Sequence, residues 1–72
     1  MDYRDKVFLA VAESLSFSKA ADELFISQPA VTKHIKELES KLNSTLFERK
    51  GNKIYLTKAG KMTYGYLKRI LQ

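Results

Sequence analysis

"SQPAVTKHIKEL", residues 27–38, contains the chain's only proline, Pro29, and its only histidine, His34. Inside a helix a proline removes a backbone donor and clashes with the preceding turn, yet the neighbours here favour a helix. The conflict disappears if Ser27 is the N-cap. Pro29 then falls in the first turn, where backbone N–H groups have no intrahelical partner anyway. The spacing predicts a helix from residue 28 to about Leu42. At about 100° per residue, Val31, Ile35, Leu38 and Leu42 form one stripe, the expected core face. Pro29, Thr32, Lys33, Lys36 and Ser40 lie roughly opposite, with Gln28 at the leading end.

That outward face has an uneven charge pattern. No acid occurs between Gln28 and Lys36, whereas a solvated helix face ordinarily mixes both signs in i, i+4 pairs. Two amines, a hydroxyl and an amide are the groups that hydrogen-bond base edges and phosphates in a major groove, which is wide enough for one helix. Glu37 and Glu39 come only toward the far end, and the positive end of the helix dipole leads. On a single helix of this kind, a merely solvated basic face is the favoured reading. Its neighbours shift the balance.

Upstream, Val7, Phe8, Val11, Ala12 and Leu15 recur at helical spacing and predict a first helix from Tyr3 to Leu15. Ser18 is the expected N-cap of a short second helix over 19–25, whose Ala20 and Ala21 suit close packing. Ile26 is an apolar plug in the turn that follows. A short helix, a tight turn and a cationic helix make a helix-turn-helix unit over about 18–37. Downstream, "LFER" and "KIYL" flank Gly51–Asn52, a two-residue hairpin signal. This wing, about 46–56, carries Arg49, Lys50 and Lys53. Thr57 is placed to cap a last helix over 58–72. The expected fold is mainly α with a small β-hairpin wing: a winged helix-turn-helix over 1–57 followed by the start of a linker helix.

Composition narrows the function. Seventy-two residues make one small domain, and 13 basic against 8 acidic side chains leave a net charge of +5, which favours a polyanionic partner. Cysteine is absent, which excludes disulfides and thiolate metal sites. One histidine and scattered carboxylates offer no metal-ligand spacing, and no cofactor is expected. An enzyme would need a nucleophile–base pair or a glycine-rich phosphate loop, and neither is written here. No apolar run approaches the ~20 residues that span a bilayer, and the acid-bearing start is unlike a signal peptide. A cytoplasmic protein is expected. Membrane binding by residues 58–72 is disfavoured, because Gly60 and Gly65 weaken an isolated helix.

Five pieces stand in order: F-x-A-V-A-E from Phe8, S-F-S-x-A-A from Ser16, S-Q-P-A-V-T-x-x-I-x-x-L-E from Ser27, L-F-x-R from Leu46 and L-T-x-A-G from Leu56. Together they resemble the N-terminal winged helix-turn-helix of LysR-type transcriptional regulators. The resemblance implies a bacterial transcription factor that binds double-stranded DNA at an interrupted palindrome. It implies a homodimer paired through the last helix, here through Tyr64, Leu67, Ile70 and Leu71, whose spacing is compatible with such a contact. It also implies a small-molecule effector, bound by a further domain that these residues lack.

The expected DNA contacts are Ser27, Gln28, Pro29, Thr32, Lys33 and Lys36 on the third helix and Arg49 and Lys50 in the wing. Ser18, Lys19 and Lys53 are candidates for backbone phosphate. Gln28 leads for base reading, since its amide can pair two-pronged with adenine; the ring of Pro29 can reach a thymine methyl. Three positions depart from the family pattern. Asp5 replaces an apolar residue, which would loosen the first turn. Asn43 replaces a helix-ending glycine but tolerates the same left-handed conformation. Lys33 replaces arginine and lacks the planar fork that reads guanine. His34 falls on the flank, with no acid expected beside it, and is given no chemistry. Tyr55, Tyr64 and Tyr66 are assigned to packing. The competing reading is a winged helix that binds another protein and merely solvates its basic face.

Overall fold

The computed structural model describes residues 2–70, and its element order is α1 (Tyr3–Ser14), α2 (Phe17–Leu24), α3 (Gln28–Leu42), β1 (Phe47–Lys50), β2 (Lys53–Leu56) and α4 (Lys58–Ile70). It is a winged helix-turn-helix. Asp2 starts α1: its Oδ1 accepts from the Arg4 N–H at 2.9 Å. The Arg4 guanidinium holds the same carboxylate at 2.7 Å, and these hydrogen bonds keep the Asp2 carboxyl well below the usual carboxylate range. The first turn is secured from Asp2, so Asp5 leaves it intact.

The junction between α1 and α2 differs from expectation by two residues. Leu15 does not extend the core stripe. It closes α1 in the left-handed region, φ 51°, with its side chain exposed. The N-cap of α2 is Ser16, whose Oγ accepts from the Lys19 N–H at 3.1 Å. Ser18 lies inside the helix, its hydroxyl 3.2 Å from that of Ser16. The physical reason is Phe17: as the first helical residue its ring turns inward and meets Phe47 at 5.9 Å between centroids.

α3 forms as its sequence demands. Ser27 Oγ accepts from the Ala30 N–H at 3.2 Å, Pro29 occupies the first turn, and Asn43 ends the helix at φ 53°. Val7, Phe8 and Val11 of α1 meet Ala20 and Ala21 of α2 and Val31, Ile35 and Leu38 of α3 in one buried cluster, joined by Leu46 and Ile54. The two alanines let α2 approach closely, and Ile26 packs partly against the cluster from the turn. Leu42 is a correction to the expected stripe. It is exposed, because the last turn of α3 borders an open groove beside α4.

The hairpin pairs Phe47 with Leu56, Glu48 with Tyr55, Arg49 with Ile54 and Lys50 with Lys53. Gly51 at φ 64° makes the turn, the glycine placement of a II′ hairpin. Phe47 packs on Phe8 at 5.4 Å and anchors one face of the wing to the helices. α4 is joined to the wing by Thr57. Its N–H donates to the Leu46 carbonyl at 3.0 Å; its hydroxyl donates to the Thr45 carbonyl at 2.7 Å and accepts from the Gly60 N–H at 3.0 Å. Gly60 lies so close to the Leu46 carbonyl and Leu56 that a Cβ would collide with both. Farther along, Tyr64 Oη and Lys68 Nζ both reach Glu13 Oε2 of α1, at 3.1 and 3.2 Å.

Candidate nucleic-acid interface

The Ser27 cap and the first turn of α3 leave Ser27, Gln28 and Pro29 exposed together at one end of the helix, with Lys33 and Lys36 exposed behind them. Thr32 is half-buried, since it and Lys36 turn toward the wing. There they border a cleft of about 170 Å³ with Arg49 across it and Phe17, Ile35 and Phe47 as its floor. The outward face of α3 is therefore divided. Pro29 and Lys33 look out to solvent, while Thr32 and Lys36 look toward Arg49.

Register separates the wing cations. Residues directly opposite share a face, so Arg49 goes with buried Ile54 on the helix side, and Lys50 and Lys53 go with Glu48 and Tyr55 on the outer side. Lys50 Nζ is 3.8 Å from Glu48 and 5.9 Å from the Tyr55 ring centroid. Tyr55 is exposed, so it belongs to this outer face, where packing had been expected. Ser18 and Lys19 are exposed on α2, near the start of α3.

Two acids, Glu39 and Glu48, also line the cleft between α3 and the wing, and each has a partner outside it. Glu39 Oε2 accepts from the Leu46 N–H at 2.7 Å, Glu48 faces Lys50, and Glu37 lies 3.7 Å from His34 Nδ1. Among the described residues, Lys19, Lys33, Lys36 and Arg49 are in no ion pair. The result is a face shared by α2, α3 and β1 that carries cations in no ion pair together with amide and hydroxyl groups. His34 has a neighbouring acid after all, and its ring meets the edge of Tyr3 at 5.3 Å. It bridges α1 and α3 away from the donor-rich face.

The four residues expected to pair two copies behave differently from one another. Leu67 is buried in the domain's own core and Tyr64 is bonded to Glu13, so both face inward. Ile70 is exposed, and Leu71 lies outside the described residues. The outward apolar stripe of α4 is Met62, Tyr66 and Ile70, at i, i+4 and i+8. Tyr66, expected in packing, is thus exposed among the described residues. Met62, Tyr66 and Leu67 line a groove of about 690 Å³ with Leu38 and Leu42, and Lys41, Lys61 and Arg69 border it. The four-residue spacing of Met62, Tyr66 and Ile70 was visible in the sequence. Which side of α4 is covered by α1 was not.

Among the described residues no groups of histidine and carboxylates are placed to hold a metal, and no helix is long and apolar enough to cross a membrane.

Residues 5–61 match the family described as "Bacterial regulatory helix-turn-helix protein, lysR family". A "Probable RuBisCO transcriptional regulator" of Thalassiosira pseudonana is 48% identical over 66 residues, 92% of this chain and 22% of the relative. The chain thus spans about a fifth of the length of the curated relatives it matches. A LysR-family transcriptional regulator from Eggerthella lenta superposes with TM-score 0.90 at 38% identity, covering 94% of this chain and 97% of that one. The BenM DNA-binding domain in complex with catB site 1 DNA superposes with TM-score 0.91 at 38% identity, covering 99% and 80%.

Proposed function

Because this chain belongs to the lysR family of bacterial regulatory helix-turn-helix proteins, we propose that it is the sequence-specific DNA-binding module of a transcriptional regulator. In this reading α3 enters the major groove and the wing rests on the backbone or in the minor groove. One observation carries it: the exposed outward face of α3, acid-free from Gln28 to Lys36, whose Lys33 and Lys36 are in no ion pair among the described residues and whose Lys36 borders a cleft with Arg49. A merely solvated face would have its charges paired or mixed. The solved BenM domain of the same fold is a DNA complex, which supports the choice of partner.

Each donor has its role in this reading. Gln28, Thr32 and Lys33 face base edges, Pro29 a thymine methyl, and Ser27, Lys36 and the wing residues Arg49 and Lys50 the backbone. Ser18, Lys19 and Lys53 add phosphate contacts. Two copies bind an interrupted palindrome, paired through α4, and a small-molecule effector acts through a domain beyond these residues. The setting is the bacterial cytoplasm, and the role is regulatory with no catalytic step.

The test is a fluorescence anisotropy titration against a palindrome selected from a random pool by this chain and against a scramble of it, at two salt concentrations. Tighter binding to the selected duplex that persists at physiological salt is the expected result. Equal binding to both, erased by salt, would leave only attraction to phosphate and would sink the claim of sequence reading.

A further inference from the structure

The groove of about 690 Å³ between α3 and α4 combines two characters. Its walls are apolar: Leu38 and Leu42 on α3 face Met62, Tyr66 and Leu67 on α4. Its border is cationic, with Lys41 on one side and Lys61 and Arg69 on the other, and Asp5 is the one acid lining it. Among the described residues none of these four charges is in an ion pair. Gly65 lies in the same wall. A methyl group there would meet open space, with only the Arg69 guanidinium as near as 4.0 Å. Glycine weakens a helix interior relative to alanine, and no contact among the described residues calls for it here. Its missing side chain widens the groove beside that guanidinium.

Size and charge together select an occupant. Small-molecule sites run to roughly 300–1,000 Å³, are mostly apolar and carry a few placed polar groups. Lysine and arginine stems line apolar walls while their heads stay at the rim. A carboxylate at such a rim gains charge-assisted hydrogen bonds, two-pronged with arginine. A second copy answers the apolar walls alone. Being the same chain, it brings three cations and one acid of its own to the seam, and like charges across an interface are costly. We propose that the groove binds an apolar monocarboxylate, with its carboxylate on Arg69 and Lys61 and its body on Leu42, Met62 and Tyr66, and that this molecule competes there with a second copy. The competition rests on the pairing through α4 proposed above; the binding does not. By mass action the ligand then sets the fraction of paired chains, and with it the preference for a palindrome.

The site is tested by titrating dansylundecanoate, a fluorescent alkyl carboxylate, with this chain below the micelle concentration of the probe. Saturable binding displaced by dodecanoate is expected. Dodecanol, which lacks the charge, and dodecyltrimethylammonium, which reverses it, should displace the probe about tenfold more weakly. Arg69→Gln should weaken binding about tenfold and Met62→Glu should abolish it; both side chains are exposed, so the fold tolerates either change. Lys6→Gln, an equal loss of charge outside the groove, should change binding less than about twofold. Displacement by all three amphiphiles alike, or equal losses from Arg69→Gln and Lys6→Gln, would mean a general affinity for amphiphiles and would overturn the site. A chain that binds no probe would overturn it too, the groove then serving a second copy alone. Duplex titrations read the competition. Saturating dodecanoate should remove the advantage of a palindrome over an isolated half-site and leave half-site affinity within about twofold. An advantage that Met62→Glu removes and dodecanoate does not would overturn the competition. An advantage that neither changes would remove pairing through α4, and the competition with it, while the probe titration decides the site separately.

Discussion

Phe25 is the residue least at ease in this molecule. It closes α2 at φ 58° with 95% of its surface exposed, in a conformation that costs an L-residue about 1–2 kcal/mol and with almost no burial to offset it. Phe25→Asn should therefore raise stability by about 1 kcal/mol, seen as a higher midpoint in thermal melts followed by circular dichroism; a lower midpoint would mean that the ring packs in solution. Lys33 and Lys36 make a second pair of predictions, because they have the same charge and different outlooks. Lys36→Ala should weaken binding evenly across duplex sequences and lower the slope of log K against log salt by about 1. Lys33→Ala should relax the preference at one base pair, by about 1–3 kcal/mol. Identical behaviour of the two variants in a selection experiment would place both on phosphate. At this scale the sequence was informative wherever chemistry is local. Ser27, Pro29, Asn43 and Gly51 act within a few residues of themselves, and each does what its type permits. It was uninformative where a choice between equivalents depended on something distant: Ser16 or Ser18 as cap was decided by Phe47, some thirty positions away.

Elements show the same division. The periodicity of α1 and α3 and the turn of the hairpin were legible, since each obeys a repeat set by its own backbone. The orientation of α4 was not, because Tyr64, Met62 and Leu67 suit several faces and only contact with α1 selects among them. Two tethers hold α4, one to the root of the wing and one to α1. At the first, Gly60→Ala should cost about 3 kcal/mol, because the new methyl meets the Leu46 backbone, which cannot turn aside as a side chain would. Equilibrium urea unfolding would measure it, and an unchanged midpoint would show that α4 shifts freely. At the second, Tyr64 donates to the Glu13 carboxylate, and this hydrogen bond raises the phenol above its ordinary value of 10.0. A group whose value is raised on folding contributes stability that is complete below its unfolded value and lost as pH rises through the folded one. The domain should accordingly lose stability above about pH 10 by a component that Tyr64→Phe lacks. Parallel unfolding curves for the two proteins from pH 9 to 11 would test this, and superimposable losses would assign the effect to other groups.

The whole molecule is a small core with two faces of different character. One is a polar, cationic surface made by α2, α3 and β1; the other is the apolar groove between α3 and α4. If the groove receives a second copy, Met62→Glu should abolish the advantage of a palindrome over an isolated half-site while leaving half-site affinity within about twofold. Sedimentation of the free chain beside such titrations would report it, and retained preference for the palindrome would point to pairing elsewhere. The two faces are linked through the Thr57 junction. Its hydroxyl touches Thr45 on one side and Gly60 on the other, so the root of the wing and the root of α4 are bolted to one bracket. Tilting the helix then swings the Arg49 tip, as a rudder follows its tiller. If two copies pair through α4 as proposed, whatever sets the angle between them also steers the wing.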